Sequence, residues 1–323
     1  MDRLSDVLVV NAGSTSLKLS VVDAVERSTS IASLGETPPV SAVAHRVVHG
    51  GDRFVEPTLV DDAVERELRG LVELAPLHMR PALDALAEAR AALPEVAHVA
   101  VFDTAFHRTI PERAATYALP AAWRRRGIRR YGFHGLSVAW AAEQVPVRRL
   151  VVCHLGGGCS VTAVSDGASV DTTMGFTPLE GVPMGTRPGN VDPGALLYLL
   201  RHDVGIDELE DGLEHGSGLL GLGGTSDVAE LLAATDASAR LALEIFVYRV
   251  AQAAAAMAAA LGGIDAIVFT GGIGEHAAAV REAIVAQLRF LGTFDTHVVT
   301  AREDVVAARA ARIAAGAEST ESP

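Results

Sequence analysis

One pattern occurs twice in this chain: an apolar strand-like run, a loop of small residues, a second strand-like run and an acidic turn. The first copy is VLVVNAGSTSLKLSVVD (7–23) and the second is RLVVCHLGGGCSVTAVSDGASVD (149–171). Twelve residues separate Asn11 from Asp23, and twelve separate His154 from Asp166. Gly13 and Gly156 each stand two residues after the residue that opens the loop. A duplicated strand–glycine-loop–strand unit points to two related lobes with a ligand between them. Two unrelated hairpins of similar composition would give the same spacing, and that reading stays open.

The stretches between and after the copies supply the rest of an α/β architecture. DDAVERELRGLVELA (61–75) and PALDALAEARAAL (81–93) carry apolar residues at three- and four-residue spacing and read as helices. VAHVAVFDTAFH (96–107) reads as a buried strand entering a loop. SARLALEIFVYRVAQAAAAMAAALGG (238–263) reads as a long helix, and IDAIVFTGGIGEH (264–276) as a strand entering a third glycine loop. AAAVREAIVAQLRFLG (277–292) and REDVVAARAARIAAG (302–316) read as helices. Between 171 and 194 lies a long Gly- and Pro-rich stretch, DTTMGFTPLEGVPMGTRPGNVDPG, and a run of that kind is more often a functional loop than a linker.

Composition narrows the function classes. A net charge of −13 argues against a nucleic-acid partner or an acidic membrane surface. Positive potential for an anionic substrate must therefore be local. Two cysteines, Cys153 and Cys159, make no disulfide framework and suit a reducing cytoplasm. MDRLSDVLVV does not read as a signal peptide. Residues 241–261 owe their apolarity to alanine and are interrupted by Glu244, Arg249 and Gln252, so a buried helix is expected there. The tail AESTESP reads as frayed.

Three loops, NAGSTS (11–16), HLGGG (154–158) and GGIGE (271–275), follow apolar strands and could let backbone N–H groups approach phosphate oxygens. None matches GxxxxGK[ST] or GxGxxG. Lys18 is the one lysine of the chain, all other basic side chains apart from histidine being arginine. Alternation puts Ser16, Lys18 and Ser20 on one strand face and Leu17, Leu19 and Val21 on the other. An arginine would serve as a solvated surface charge, whereas a compact rotatable ammonium suits a flexible phosphate. Arg46, Asp103, His134 and Arg187 also fall outside the helical segments, in glycine-rich loops or at strand ends where sites are built. Taken singly they could be a surface arginine, an N-cap, a satisfied loop histidine and half of an ion pair.

Together with HRVVHGGDRF, LAPLH, FDTAFHRTIP, RRYGFHGLS and GLLGLGGTSD, these stretches closely resemble the acetate kinase (acetokinase) family, from residue 7 to about 276. The resemblance implies an α/β fold of two actin-like (ribonuclease H-like) lobes with a cleft between them. Residues 1–107 with a C-terminal helix 304–323 would form the N-terminal lobe, and 108–303 the nucleotide-binding lobe. It implies reversible, magnesium-dependent phosphoryl transfer between ATP and acetate, with manganese as an alternative ion, in a cytoplasmic homodimer that binds neither nucleic acid nor membrane. Carried over, the catalytic residues are Asp103, His134 and Arg187. Arg46 with Val48, Leu77, Phe133 and Pro178 would bind acetate. Lys18, Ser14, Ser16, His154, Leu155, Gly156, Gly157, Gly158, Asp227, Gly272, Ile273, Gly274, Glu275 and His276 would meet the nucleotide, and Asn11 and Glu303 the metal.

The sequence departs from the family pattern at Gly157, an asparagine in HLGNG, and at Ala229, the arginine of Asp-x-Arg. Met79, Asn190 and the Leu136–Val138 stretch also differ, and the chain is shorter than is typical. A propionate or butyrate kinase and a pyrophosphate-dependent kinase are therefore alternatives. From another class, so is a non-catalytic actin-like binding protein, against which the retention of Arg46, Asp103, His134 and Arg187 argues.

Overall fold

A computed structural model describes residues 6–13 and 17–318. The chain divides into two compact units, one formed by residues up to Arg108, Phe133–Trp140 and Arg302 onward, the other by Thr109–Gly132 and Ala141–Ala301.

The first unit holds strands β1 (Val7–Ala12), β2 (Leu17–Val22), β3 (Ser28–Ile31), β4 (Ala42–Val47), β5 (Thr58–Leu59) and β6 (Ala97–Phe102), in the order β3-β2-β1-β4-β6-β5. β2 lies antiparallel between β1 and β3, whereas β4 and β6 continue parallel from β1. Strands buried on both faces need unbroken apolar runs, which is what VLVV supplies. Val7, Val9, Ala42, Ala44, Val99 and Val101 pack on Val305, Ala308 and Ala311 of the helix Glu303–Glu318. Leu8, Val10 and Val43 meet Ala82, Ala85 and Ala89 of the helix Pro76–Ala92 on the opposite face. The end of the chain is fastened to its beginning by polar contacts as well. Arg309 pairs with Glu26, and Arg312 donates to the carbonyls of Val22 and Asp23 at 2.8 and 2.7 Å.

The second unit contains β7 (Arg149–Leu155), β8 (Cys159–Ser165), β9 (Ala168–Thr172), β10 (Ala266–Thr270) and β11 (Asp295–Val298), ordered β11-β10-β7-β8-β9. β7, β8 and β9 form an antiparallel meander, and β10 and β11 run parallel to β7. Read from the third strand inward, β9-β8-β7-β10-β11 repeats β3-β2-β1-β4-β6 in order and in sense. The duplicated motif is thus the first hairpin of each of two like sheets, as in a ribonuclease H-like lobe. The helix Ala237–Leu261 packs Ala239, Ala242, Phe246, Val250, Ala254 and Met257 into this unit, against β7, β8 and β9. By length and composition it alone among the described helices could cross a membrane, but one face of it is core.

Several elements differ from the sequence reading. The segment expected as one helix over 61–75 is a helix Asp62–Gly70 followed by a single 3-10 turn at Val72–Leu74. The next helix starts at Pro76, not at position 81, and carries Pro81 inside it. A proline deprives the residue four before it of a helical partner, here Leu77, so the sequence reading began the helix at the proline. GGIGE is not a loop: Gly271–His276 is helical from the end of β10, with a break at Ala277 before the helix Ala278–Gln287. Leu17, read as apolar-face, is 49% exposed because it stands at the open end of its strand. Ser14 and Ser16 lie outside the described residues.

Candidate active site

In the first unit, three parallel strands deliver polar side chains to one sheet edge, at or just beyond their carboxyl ends. Asn11 is near the end of β1, Arg46 near the end of β4, and Asp103 directly follows β6. Carboxyl ends of parallel strands are where open α/β sheets bind ligands. Asp103 is held there by its N–H, which donates to the Val47 carbonyl at 3.1 Å. Arg46 grips it with both arms, Nε to Oδ1 at 2.9 Å and Nη2 to Oδ2 at 2.5 Å. The remaining arm, Nη1, donates to Asn11 Oδ1 at 3.0 Å, and Glu303 Oε2 lies 3.9 Å from Nε. Arg46, Asp103 and Glu303 expose only 17, 1 and 18% of their side chains. Burial alone would weaken the Arg46 cation, but Asp103 and Glu303 outweigh it and raise its pKa above the ordinary arginine value.

His134 has φ +60, a left-handed backbone that histidine adopts at a cost, and neighbours on both sides hold it there. The Phe133 carbonyl accepts from His107 Nε2 at 2.9 Å, and the Gly135 N–H donates to the Asp103 carbonyl at 2.9 Å. A side chain at Gly135 would place Cβ 2.1 Å from that carbonyl, so the approach requires glycine. His107, which the sequence reading passed over within FDTAFHRTIP, is fully buried. Burial pushes its pKa down to about 4, with the Phe133 bond and Asp103 opposing the shift. A neutral His107 donating from Nε2 fixes Phe133. Phe133 is buried beside the His49 ring, Val48 is buried just past β4, and Leu77 is half-buried in the first turn of Pro76–Ala92. Lys18 sits opposite Asn11 in the β1–β2 register and is exposed, with no partner among the described residues.

In the second unit His154 pairs in register with Thr270, so the His154–Gly158 turn and the start of Gly271–His276 lie side by side at the same sheet edge. Gly157 has open space where a side chain would stand. Some residues expected at the nucleotide have structural work here. Asp227 caps the helix Val228–Ala233, accepting from Ala229 N at 2.7 Å. Glu275 Oε1 accepts from Gly271 N at 3.1 Å and Ala301 N at 3.0 Å. Leu155 ends β7 and is buried, while Gly272 and His276 are exposed; Ile273 is half-buried and Gly274 buried. Arg187 donates from Nη1 to the Pro178 carbonyl at 2.8 Å, which brings together two residues that the sequence reading had placed only separately. Among the described residues Arg187 makes no ion pair. Burial lowers its pKa, with Glu214 opposing from a distance.

The donor set of the first unit suits a hard divalent metal ion. Asn11, Asp103 and Glu303 offer hard oxygen atoms, and among the described residues no cluster of three or more His, Cys, Asp or Glu side chains could cage a metal. A hard divalent cation that keeps most of its waters can be held by one or two carboxylates plus substrate phosphates.

Comparison with known proteins gives the family. The profile of the Acetokinase family matches residues 29–316. The chain belongs to the acetokinase family. It is 43% identical over 289 residues to an acetate kinase of Protochlamydia amoebophila, covering 86% of this chain and 73% of that one. With an acetate kinase of Clavibacter michiganensis subsp. michiganensis it shares 50% over 276 residues, 80% of this chain and 69% of the relative. The crystal structure of a propionate kinase from Francisella tularensis superposes with a TM-score of 0.90 at 32% identity, covering 96% of this chain and all of that one. As an acetokinase-family member the chain is a phosphotransferase with a carboxyl acceptor, on the actin-like fold.

Proposed function

We propose that this acetokinase-family chain catalyses acetate + ATP ⇌ acetyl phosphate + ADP with Mg²⁺. The observation that carries the reading is the contrast between two half-buried arginines. Arg46 is held bidentately by a carboxylate, whereas Arg187, also half-buried, has no carboxylate bonded to it among the described residues. An acetate oxygen would form the new bond to the γ-phosphorus as the bond to the bridging oxygen of ADP breaks. That transfer needs positioning and charge neutralisation more than covalent help.

Arg46, oriented by Asp103 and Asn11, would hold the acetate carboxylate. Arg187 would balance charge on the phosphoryl oxygens, which its lack of a counter-ion supports. His134, fixed in its left-handed backbone, would donate to the same group. Acetate is ionised at neutral pH, so Asp103 has no base work to do, and its grip on Arg46 supports a positioning role. Lys18 and the glycines at 156–158 and 272–274 would meet the nucleotide phosphates. Asn11 and Glu303 would hold the magnesium ion, which neutralises phosphate charge when bound. Val48, Leu77 and Phe133 of the first unit would supply apolar walls suited to a methyl group.

A homodimer is supported by the helix Pro193–Arg201, which has no buried residue and exposes Leu197, Tyr198, Leu199 and Leu200, an unusual density of surface apolar side chains. Two buried free cysteines support a reducing cytoplasm. A second reading, propionate as acceptor, is favoured by the likeness to the Francisella enzyme.

The test is trapping of acyl phosphate as the hydroxamate with acetate, propionate and butyrate, each with ATP, GTP or pyrophosphate. Highest kcat/KM for acetate with ATP is expected. Higher kcat/KM for propionate selects the second reading, and no product with any pair removes both.

A further inference from the structure

The loop carrying Pro178 is gripped on either side of that residue by one half-buried cluster in the second unit. Two residues before it, the Phe176 N–H donates to the Tyr117 hydroxyl at 3.0 Å. Two residues after it, the Glu180 carboxylate accepts from that same hydroxyl and from Arg130 Nη2 at 2.8 Å. Arg130 Nη1 reaches back to the carbonyls of Thr173 and Met174 at 2.9 and 3.0 Å, and its guanidinium lies over the Tyr117 ring, 5.6 Å from the centroid. The cluster closes on Gly175, where an added Cβ would stand 1.6 Å from Glu180 Oε2 and 2.0 Å from the Tyr117 oxygen. No larger residue fits. The Gly175 carbonyl is itself bonded by the N–H of Tyr131 at 3.0 Å.

An irregular segment held at 173, 174, 175, 176 and 180 leaves the Pro178 carbonyl little freedom. That carbonyl is the acceptor to which Arg187 donates at 2.8 Å. Because no carboxylate among the described residues bonds Arg187, its guanidinium direction depends on where the carbonyl stands. The geometry points to Glu180, with Tyr117 and Arg130, as a positioning residue for Arg187. It touches no substrate and acts through the loop. The inference rests on the phosphoryl-transfer reading only for its kinetic test.

That test is a double-mutant cycle of Glu180→Ala and Arg187→Ala, read by hydroxamate formation with acetate and ATP. In the wild-type background Glu180→Ala should lower kcat at least about tenfold while the KM for ATP stays within about twofold. In the Arg187→Ala background it should lower kcat by less than about twofold, because its effect passes through the missing side chain. Glu180→Gln, which keeps an oxygen for Arg130 and an amide that can donate to Tyr117, should restore most of the activity. Equal losses in the two backgrounds, or no loss in the first, overturn the inference. Should Glu180→Ala not fold, Tyr117→Phe takes its place in the cycle with the same two expectations. A crystal structure of the single variant separates this inference from the functional reading. Whatever the activity, an Arg187 Nη1 still within about 3.2 Å of the Pro178 oxygen contradicts the inference, and a displaced guanidinium supports it. Absence of product from the wild-type enzyme counts against the function alone.

Discussion

Arg46 and Arg187 are both largely removed from water, yet their surroundings are opposite. Arg46 has Asp103 bonded to two nitrogens, Asn11 on a third and Glu303 at 3.9 Å, so its cation is over-compensated. Arg187 has one peptide carbonyl and, among the described residues, no ion pair. A buried charge without a partner is expensive, and proteins keep one where a ligand completes it. The contrast assigns different consequences to losing each. Removing Arg46 strands a carboxylate that is 1% exposed, whereas removing Arg187 takes away a half-buried charge with no bonded carboxylate among the described residues.

The largest separation is expected in turnover. Arg187→Ala should cut kcat by about a thousandfold, the scale of lost transition-state donors, while the urea midpoint stays level or rises. A drop in that midpoint would mean that the bond to the Pro178 carbonyl and the packing of Arg187 outweigh the cost of its charge. Arg46→Ala should instead unfold more easily, by about 3–5 kcal/mol in urea titrations, since half a buried pair remains behind. Combining it with Asp103→Asn should recover part of that loss, and no recovery would break the pairing argument.

Acid should act on the first unit. His45 Nε2 meets His98 Nδ1 at 2.9 Å, and His98 Nε2 must donate to the Leu93 carbonyl at 3.0 Å, so both rings are neutral in this chain of bonds. Burial lowers the pKa of His45 to about 3, with His98 and Arg90 adding to the shift, and lowers that of His98 as well; His107 falls to about 4. These folded-state values lie below the unfolded one, so the unfolded chain binds more protons and stability falls as pH drops. The loss should begin near pH 6.5 and deepen through about pH 4, where the His107 contribution is spent, with His45 continuing lower. His107→Gln should flatten the upper part of that profile, and an unchanged profile would exclude His107.

Smallest is Lys18→Arg. It keeps the charge on an exposed strand position opposite Asn11, so stability should not change. Turnover should fall about tenfold, near 1.4 kcal/mol in the barrier, if a rotatable ammonium is what the phosphate needs. Unchanged kcat would leave this lysine without a function.

The strands were legible because apolar runs such as VLVV and RLVV pack on both faces, and the repeat of small loops pointed to two related lobes, with unrelated hairpins left open until the strand order was seen. Helix boundaries were less so: Pro81 looked like a start because its cost is local, while the tertiary packing of Met79, Ala82, Leu83 and Leu86 tolerates it. At the site, Arg46, Asp103 and Arg187 announced themselves by residue type and by their place at strand ends or in loops. What periodicity could not carry was pairing across long separations. Arg46 and Asp103 are 57 positions apart, and Tyr117 and Glu180 are 63. Nor could it show that no carboxylate among the described residues bonds Arg187, which is a property of every neighbour at once.

Acyl-phosphate formation measured side by side for the wild-type chain and Arg187→Ala, with the urea midpoint of each, tests the account most directly. Acetate- and ATP-dependent hydroxamate from the wild type, at least a hundredfold less from the variant, and equal or higher stability of the variant are the expected results. Equal rates from the two proteins, or a variant that is inactive because it unfolds, would contradict it.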